Sequence, residues 1–432
     1  MNLLYVAPSY KPAYRAGGPV ISVSAVAERI AWRGHRVSVF TTTANLDCDL
    51  DVPADVPIDV DGVTVRYFKR HEPLKRFLPF IPYLAKSAGY LYAPGLWRAL
   101  QEAAPGADIV HTHFPCVYPT LAAARAARLS CVPLMYHQRG AFDPARLGFR
   151  PWKKRLYIGL IEKRIMRQAA ALIALTDFER LTYRSLRVTT PSYVIPNGVD
   201  IREYRSVPTQ PLHEIYGFPQ HAPVVLFLGR LHPQKGAHLL VEAFARLNGK
   251  VPDATLIVAG PDEWGLAGRL SELATAGTGR SHAIFTGPVD GELKRDLLAR
   301  ADLLCLPSEG EGFSVAVLEA LASGTPVLLS PACNFPEVEE AGVGRVVSRD
   351  PDAIAAAMRH MLSDRDHLRS MGAAARRFVA SRYDWECIVD QLLDLYAQVL
   401  AQRGAVTGGS GSDRFFARRR NYKPQMNADQ RG

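Results

Sequence analysis

The chain has 432 residues, is 48% hydrophobic and carries a formal charge of +10. That length and apolar content predict two domains with separate cores and exclude a disordered polymer. No apolar run reaches the roughly 20 residues of a membrane-spanning helix, and the opening MNLLYVAPSY is too short in its apolar stretch for a secretory signal, so a cytoplasmic protein is expected. The positive charge suits nucleic acid, an acidic membrane surface or phosphate-bearing small molecules, and equally a basic enzyme with no polyanion partner. Six cysteines stand apart with no C-x-x-C pair and no Cys/His cluster, which argues against a disulfide framework and a zinc site.

In chain order, Leu3 to Ala7 reads as a buried strand. A loop with Lys11, Arg15 and Gly17-Gly18 follows, then an apolar-rich helix from Pro19 to about Trp32 that Gly34 stops. The next strand, Arg36 to Thr42, completes a strand, helix, strand rhythm typical of a parallel sheet covered by helices. The segment His71 to Leu100 mixes Phe, Tyr and Trp with Lys75, Arg76 and Lys86; it fits either a water–lipid boundary or an ordinary loop and helix at a sheet edge. Another strand, Ala107 to Val110, leads into His111-Thr112-His113.

The Asn-Gly turn in SYVIPNGVD marks a domain boundary. Beyond it the opening repeats in kind: strand Val224 to Leu228, a loop with Arg230 and Lys235, a helix, then strand TLIVAG. The resulting division is 1–195, 196–383, a last helix 384–403 that returns to the first domain, and a disordered basic tail 404–432.

The stretch LPSEGEGFSVAVLEALASGTPVL carries the chemistry. Leu303 to Pro307 reads as a strand, Ser308 to Gly312 as a loop at its C-terminal end, and the residues from about Ser314 as a helix. Open parallel sheets bind ligands at such loops, and the helix N-terminus near Gly312 to Val315 offers free N–H groups to a phosphate. Glu319 lies a turn and a half into this helix between VAVL and ALA. A buried lone carboxylate there needs hydrogen-bond donors, which the vicinal hydroxyls of a sugar would supply; an exposed Glu on the polar stripe is the plainer alternative. Arg230 and Lys235, one planar and one a point charge, suit a diphosphate.

Taken together, E-x7-E (Glu311, Glu319), GR-x4-KG (Gly229 to Gly236), IPNGVD, the early Gly-Gly and DIVHTH resemble the retaining family-four glycosyltransferases of GT-B fold, over about residues 1 to 400. The resemblance implies two Rossmann-like, doubly wound parallel-sheet domains facing a cleft. It implies that Glu319 binds the ribose of a nucleotide sugar, Glu311 the hydroxyls of the transferred sugar, and Arg230 with Lys235 the diphosphate. Gly18 lets the first-domain backbone approach that phosphate, and His113 matches the family histidine at the strand end, near the donor sugar and β-phosphate, with a packed polar residue below the cleft as its plainer alternative. Gly312, Phe313, Ser314 and Val315 are implied as backbone donors, Pro288-Val289 as the base-contacting loop, and His137, Arg139 and Asp143 as acceptor-side or cleft residues.

The family's retention of configuration implies that the departing phosphate oxygen takes the acceptor proton. The donor is then a substrate, and no cofactor or metal is expected: Asp47-Cys-Asp49 and Asp364-Arg-Asp366 sit in polar stretches away from the sheet edges. The acceptor expected is a glycan or polyprenyl-linked intermediate of bacterial polysaccharide assembly, with peripheral contact to an anionic membrane and no nucleic acid. One departure stands out, SPACNFPE (Ser330 to Glu337) where the family often has SD-x-GG-x-PE. A dinucleotide-dependent oxidoreductase is disfavoured because G-x-G-x-x-G is missing after the first strand, and a P-loop ATPase because G-x4-GK[ST] is missing. An RNA-binding use of the Phe415 to Arg420 tail is a weaker reading. The alternatives within sugar chemistry are a nucleotide-sugar epimerase and a GT-B phosphorylase.

Overall fold

The structure is a computed structural model and describes residues 1–46, 48–71, 91–142, 156–204, 208–247, 251, 253–275 and 282–407. Among the described residues, the main sheet of the first domain holds eight strands: β1 (Asn2–Val6), β2 (Arg36–Thr42), β3 (Pro57–Val60), β4 (Val63–Phe68), β5 (Ile109–His113), β6 (Leu134–His137), β7 (Ala171–Ala174) and β8 (Ser192–Val194). Their order is β8-β7-β6-β5-β1-β2-β4-β3, parallel except for the β3–β4 hairpin. The second domain holds β9 (Val224–Leu228), β10 (Thr255–Ala259), β11 (His282–Gly287), β12 (Leu303–Leu306), β13 (Val327–Leu329) and β14 (Gly344–Val346), all parallel in the order β11-β10-β9-β12-β13-β14. The expected pair of doubly wound sheets is therefore present.

Period-two alternation explains why the first sheet is covered on both faces. Leu3 and Tyr5 of β1, Met135 of β6 and Ile173 of β7 join one apolar cluster, while Leu4, Val6, Leu134, Tyr136 and Leu172 join another on the opposite face. The first cluster also contains Val23, Ala27 and Ile30 of helix α1 (Gly18–Trp32), and Ile388, Leu392 and Tyr396 of the last helix, α5. That helix, Trp385–Thr407, thus returns to the first domain. It continues four residues beyond the expected start of the disordered tail, so residues 404–407 correct that boundary; the rest of the tail lies outside the described residues.

Both crossings between domains run side by side. Val199 N–H donates to Tyr383 O at 2.9 Å and Trp385 N–H to Val199 O at 3.2 Å. A Cβ on Gly198 would lie 2.6 Å from the Trp385 ring, so only glycine permits this approach. Arg29 on α1 adds an ion pair to Asp200 at 2.7 Å. Among the described residues, no helix is long and apolar enough to cross a membrane.

Candidate active site

In both sheets the loops after the C-terminal strand ends face the other domain. A Cβ built on Gly140, after β6, would meet Gly312 Cα at 2.8 Å, and one on Gly18 would meet Val315 Cγ2 at 3.9 Å. Gly18 opens α1, and Val315 opens α4 (Val315–Ser323). Two helix N-termini, each with unsatisfied N–H groups and the positive end of a dipole, therefore converge at the cleft. Asn197 ties the lobes together: its Nδ2 donates to Phe313 O at 3.2 Å, while its Oδ1 accepts from Arg139 Nη1 at 3.1 Å.

On the second-domain side, Glu311 is 6% exposed and accepts from Lys235 Nζ at 2.5 Å and Ser308 Oγ at 2.7 Å. Gly236, the N-cap of α2 (Ala237–Ala245), makes this pairing possible. It stands at φ +74°, and a side chain there would come within 2.2 Å of Pro307 O, so glycine brings the Lys235 loop against the Glu311 loop. The SPACNFPE loop braces Glu311 from the other side, with Glu311 N–H on Ala332 O and Asn334 Nδ2 on Glu311 O, at 3.0 and 2.9 Å. Its departure from the family pattern thus still supports the Glu311 loop.

Glu319 is 7% exposed, which rules out its reading as a residue of an exposed stripe. Its Oε1 accepts from Tyr204 OH at 2.8 Å and from Lys294 Nζ at 2.7 Å. Arg230 is not gathered into this group. It is half exposed and pairs with Glu263 at 2.9 Å. Val289 is partly buried against the second core, in the loop after β11.

On the first-domain side, the H-x-H pattern on β5 puts His111 and His113 on one face, and the β5–β6 register sets His113 beside His137. The structure extends β5 through both histidines, beyond the expected end at Val110. His113 is fully buried, the packed alternative for this residue, and accepts from Arg139 Nε at 3.1 Å. His111 Nδ1 meets Tyr396 OH at 2.5 Å, and Tyr396 OH meets Tyr5 OH at 2.6 Å. Burial, then the neighbouring charge of Arg139, pushes the His111 and His137 pKa values well below the usual imidazole range; for His113 burial is followed by His111 and Arg139. Neutral rings with side-chain nitrogens within 4.8 Å of one another have the spacing of a metal site. The Arg139 guanidinium in contact with His113 opposes a divalent cation there by like-charge repulsion.

Burial also pulls Arg139 down from 12.5 to about 10, so it stays charged at neutral pH. Beside the Gly140–Gly312 contact lies Glu179, a carboxyl pushed up to about 7 by burial, partly offset by the Leu175 N–H it accepts at 2.8 Å. Sequence reading missed Glu179, Tyr204 and Lys294, and took Asn197 only as part of the IPNGVD motif and its turn. Thr176-Asp177-Phe178-Glu179 did carry a capping-box signal, and Thr176 Oγ1 accepts the Glu179 N–H at 3.1 Å. Asp143 and most of the aromatic-basic segment, 72–90, lie outside the described residues.

Residues 17–198 match the family described as Glycosyl transferase 4-like domain, and residues 209–378 the family Glycosyl transferases group 1. A D-inositol 3-phosphate glycosyltransferase of Geodermatophilus obscurus is 32% identical over 411 residues, 91% of this chain and 87% of that protein. The chain is a family-four glycosyltransferase of GT-B fold. A phosphatidyl-myo-inositol mannosyltransferase of Mycobacterium tuberculosis is 33% identical to the transferase over 235 residues, covering 52% of this chain and 59% of that protein. Among solved structures, sucrose-phosphate synthase from Thermosynechococcus elongatus superposes with TM-score 0.69 at 21% identity, covering 93% of the transferase and all of that chain. Anabaena HepE in complex with UDP-glucose gives 0.68 at 22%, covering 93% and 100%. At these identities the structural likeness establishes the shared fold.

Proposed function

We propose that the enzyme moves a sugar from a nucleoside-diphosphate sugar to an acceptor hydroxyl with retention of anomeric configuration and without a metal ion. The observation that carries this reading is the convergence of Lys235, bonded to Glu311, with the open N-termini of α1 and α4 at one cleft. As the sugar–phosphate bond breaks, negative charge grows on the diphosphate. A fixed ammonium and preorganised N–H groups favour that charge more in the transition state than in the ground state. Lys235 has three N–H groups, so its bond to Glu311 leaves donors for phosphate oxygens. Glu311 orients Lys235 and offers its second oxygen to sugar hydroxyls; the backbone of Gly312, Phe313, Ser314 and Val315 lies along the same edge. Glu319 receives the ribose, Val289 flanks the base, and Gly18 leaves room for the phosphates. Buried His113 acts through Arg139 rather than by direct contact, and the departing phosphate oxygen takes the acceptor proton.

For the acceptor, a lipid-linked glycan at an anionic membrane surface agrees with the charge of +10. The names of the curated relatives add inositol phosphate and phosphatidylinositol to the panel. The test incubates the full chain with UDP-, GDP- and ADP-sugars and these acceptors in excess EDTA. Expected are acceptor-dependent release of nucleoside diphosphate and a product of unchanged anomeric configuration by NMR. Donor turnover to an epimer without acceptor, an inverted product, or activity that only added magnesium restores would each overturn the corresponding part.

A further inference from the structure

Glu319 is held before any nucleotide arrives, and the two residues that hold it come from separate elements. Tyr204 follows the interdomain linker, and Lys294 lies on α3 (Gly291–Arg300), the helix after β11. Both described bonds fall on the same oxygen, Oε1, at 2.8 and 2.7 Å. The lysine ammonium also sits 6.0 Å from the centroid of the Tyr204 ring, so the three groups form one packed unit. Tyr204 is buried, and its hydroxyl is pushed upward in pKa by that burial and by the Glu319 charge, which keeps it a donor. A carboxylate at 7% exposure would otherwise turn between rotamers and leave its oxygens without donors. With Oε1 tethered twice, Oε2, which accepts no bond among the described residues, is the oxygen left for a vicinal diol.

We infer that Lys294 and Tyr204 are positioning residues that set the enzyme's preference for ribonucleotides over 2′-deoxyribonucleotides by fixing the Glu319 carboxylate. This rests on the reading of Glu319 as the ribose-binding residue. Two hydroxyls shared by one aimed oxygen lose geometry when the carboxylate rotates, whereas a nucleotide lacking the 2′-OH has less to lose. A site built to bond a hydroxyl discriminates strongly against the analogue without it, because the buried acceptor is left unpaired.

The test measures by calorimetry the affinity of whichever of UDP, GDP or ADP gives the largest thermal shift, alongside its 2′-deoxy form. The proteins are wild type, Glu319→Gln, Lys294→Met, Lys294→Arg and Tyr204→Phe. The wild type should favour the ribonucleotide by about tenfold or more, a hydrogen bond to a charged group being worth that factor. Lys294→Met and Tyr204→Phe should shrink the ratio by at least about threefold, through loss of the ribonucleotide, with Lys294→Arg restoring part of it. In turnover, donor KM should rise while kcat at saturation changes less than about threefold, since the ribose is remote from the reacting atoms. Tyr204→Phe removes only a hydroxyl, so it keeps the test open if Lys294→Met fails to fold. If Glu319→Gln collapses the ratio while the Lys294 and Tyr204 variants leave it unchanged, or weaken both nucleotides equally, the positioning role is wrong and the Glu319 reading stands. If Glu319→Gln itself leaves the ratio unchanged, both fall.

Discussion

In the second domain each buried carboxylate of the cleft has a lysine against it, Lys235 on Glu311 and Lys294 on Glu319. In the first domain the buried Arg139 is bonded to an imidazole, a hydroxyl and an amide, through His113, Ser22 and Asn197. The second-domain arrangement fixes orientation: paired charges of opposite sign hold each other's rotamers, and each lysine keeps further N–H groups to offer. The first-domain arrangement holds a cation by uncharged hydrogen-bond partners, with the Glu179 carboxyl as the acidic group near it. One lobe thus presents hydrogen-bonding groups held by opposite charges, and the other a buried cation held by uncharged partners.

The largest test of that contrast is Lys235→Ala. It should lower turnover by about 100-fold or more, the scale of losing a preorganised donor to a developing anion, with the circular dichroism spectrum unchanged. Near-normal turnover would sever the second-domain lysine from the chemistry.

Next comes Glu179, whose folded-state pKa is raised from 4.5 to about 7. For a raised acid the stabilising contribution is complete below the unfolded value and disappears as pH rises through the folded one. The wild type should therefore lose about 3 kcal/mol relative to Glu179→Gln between roughly pH 4.5 and 8. Denaturant titrations of both proteins across that range check it, and a pH-independent difference would contradict the buried charge.

Tyr396→Phe should cost about 2 kcal/mol, because it strips a partner from Tyr5 and from His111 in a dry environment. Equal stability would mean that the returning helix holds the first domain by apolar contact alone. The smallest effect is expected at Arg230, half exposed and paired with Glu263. Arg230→Ala should leave stability within about 0.5 kcal/mol and reduce turnover far less than Lys235→Ala, which competition kinetics with nucleoside diphosphate would separate. Equal losses would restore Arg230 as a full partner of Lys235.

Much of the architecture could be read from local pattern. Arg36–Thr42 and Val224–Leu228 agree to the residue, because a strand covered on both faces is a short apolar run with clear punctuation. The burial of Glu319 was likewise foreshadowed by its apolar flanks. What held the site together was not local. Tyr204 and Glu319 are 115 residues apart, Asn197 and Phe313 116, and no periodicity announces such a pair. For His113 the sequence leaves open a place near the donor sugar or packing below the cleft; the neighbouring strand's register shows that His137 and Arg139 pack against it. Arg230 and Lys235 share a loop in sequence yet diverge in space, since one follows an exposed acid and the other a buried one.

The polypeptide passes between the lobes at Asn197–Asp200 and again at Tyr383–Asp384, and the two passages are stitched to each other by main-chain hydrogen bonds. Two adjacent threads define a line where a single one would define only a point. Swinging about that line leaves both threads intact, whereas shear or torsion would tear their mutual bonds. The mouth between the sheets is accordingly confined to a one-dimensional opening, along which the Gly140–Gly312 contact marks the closed end.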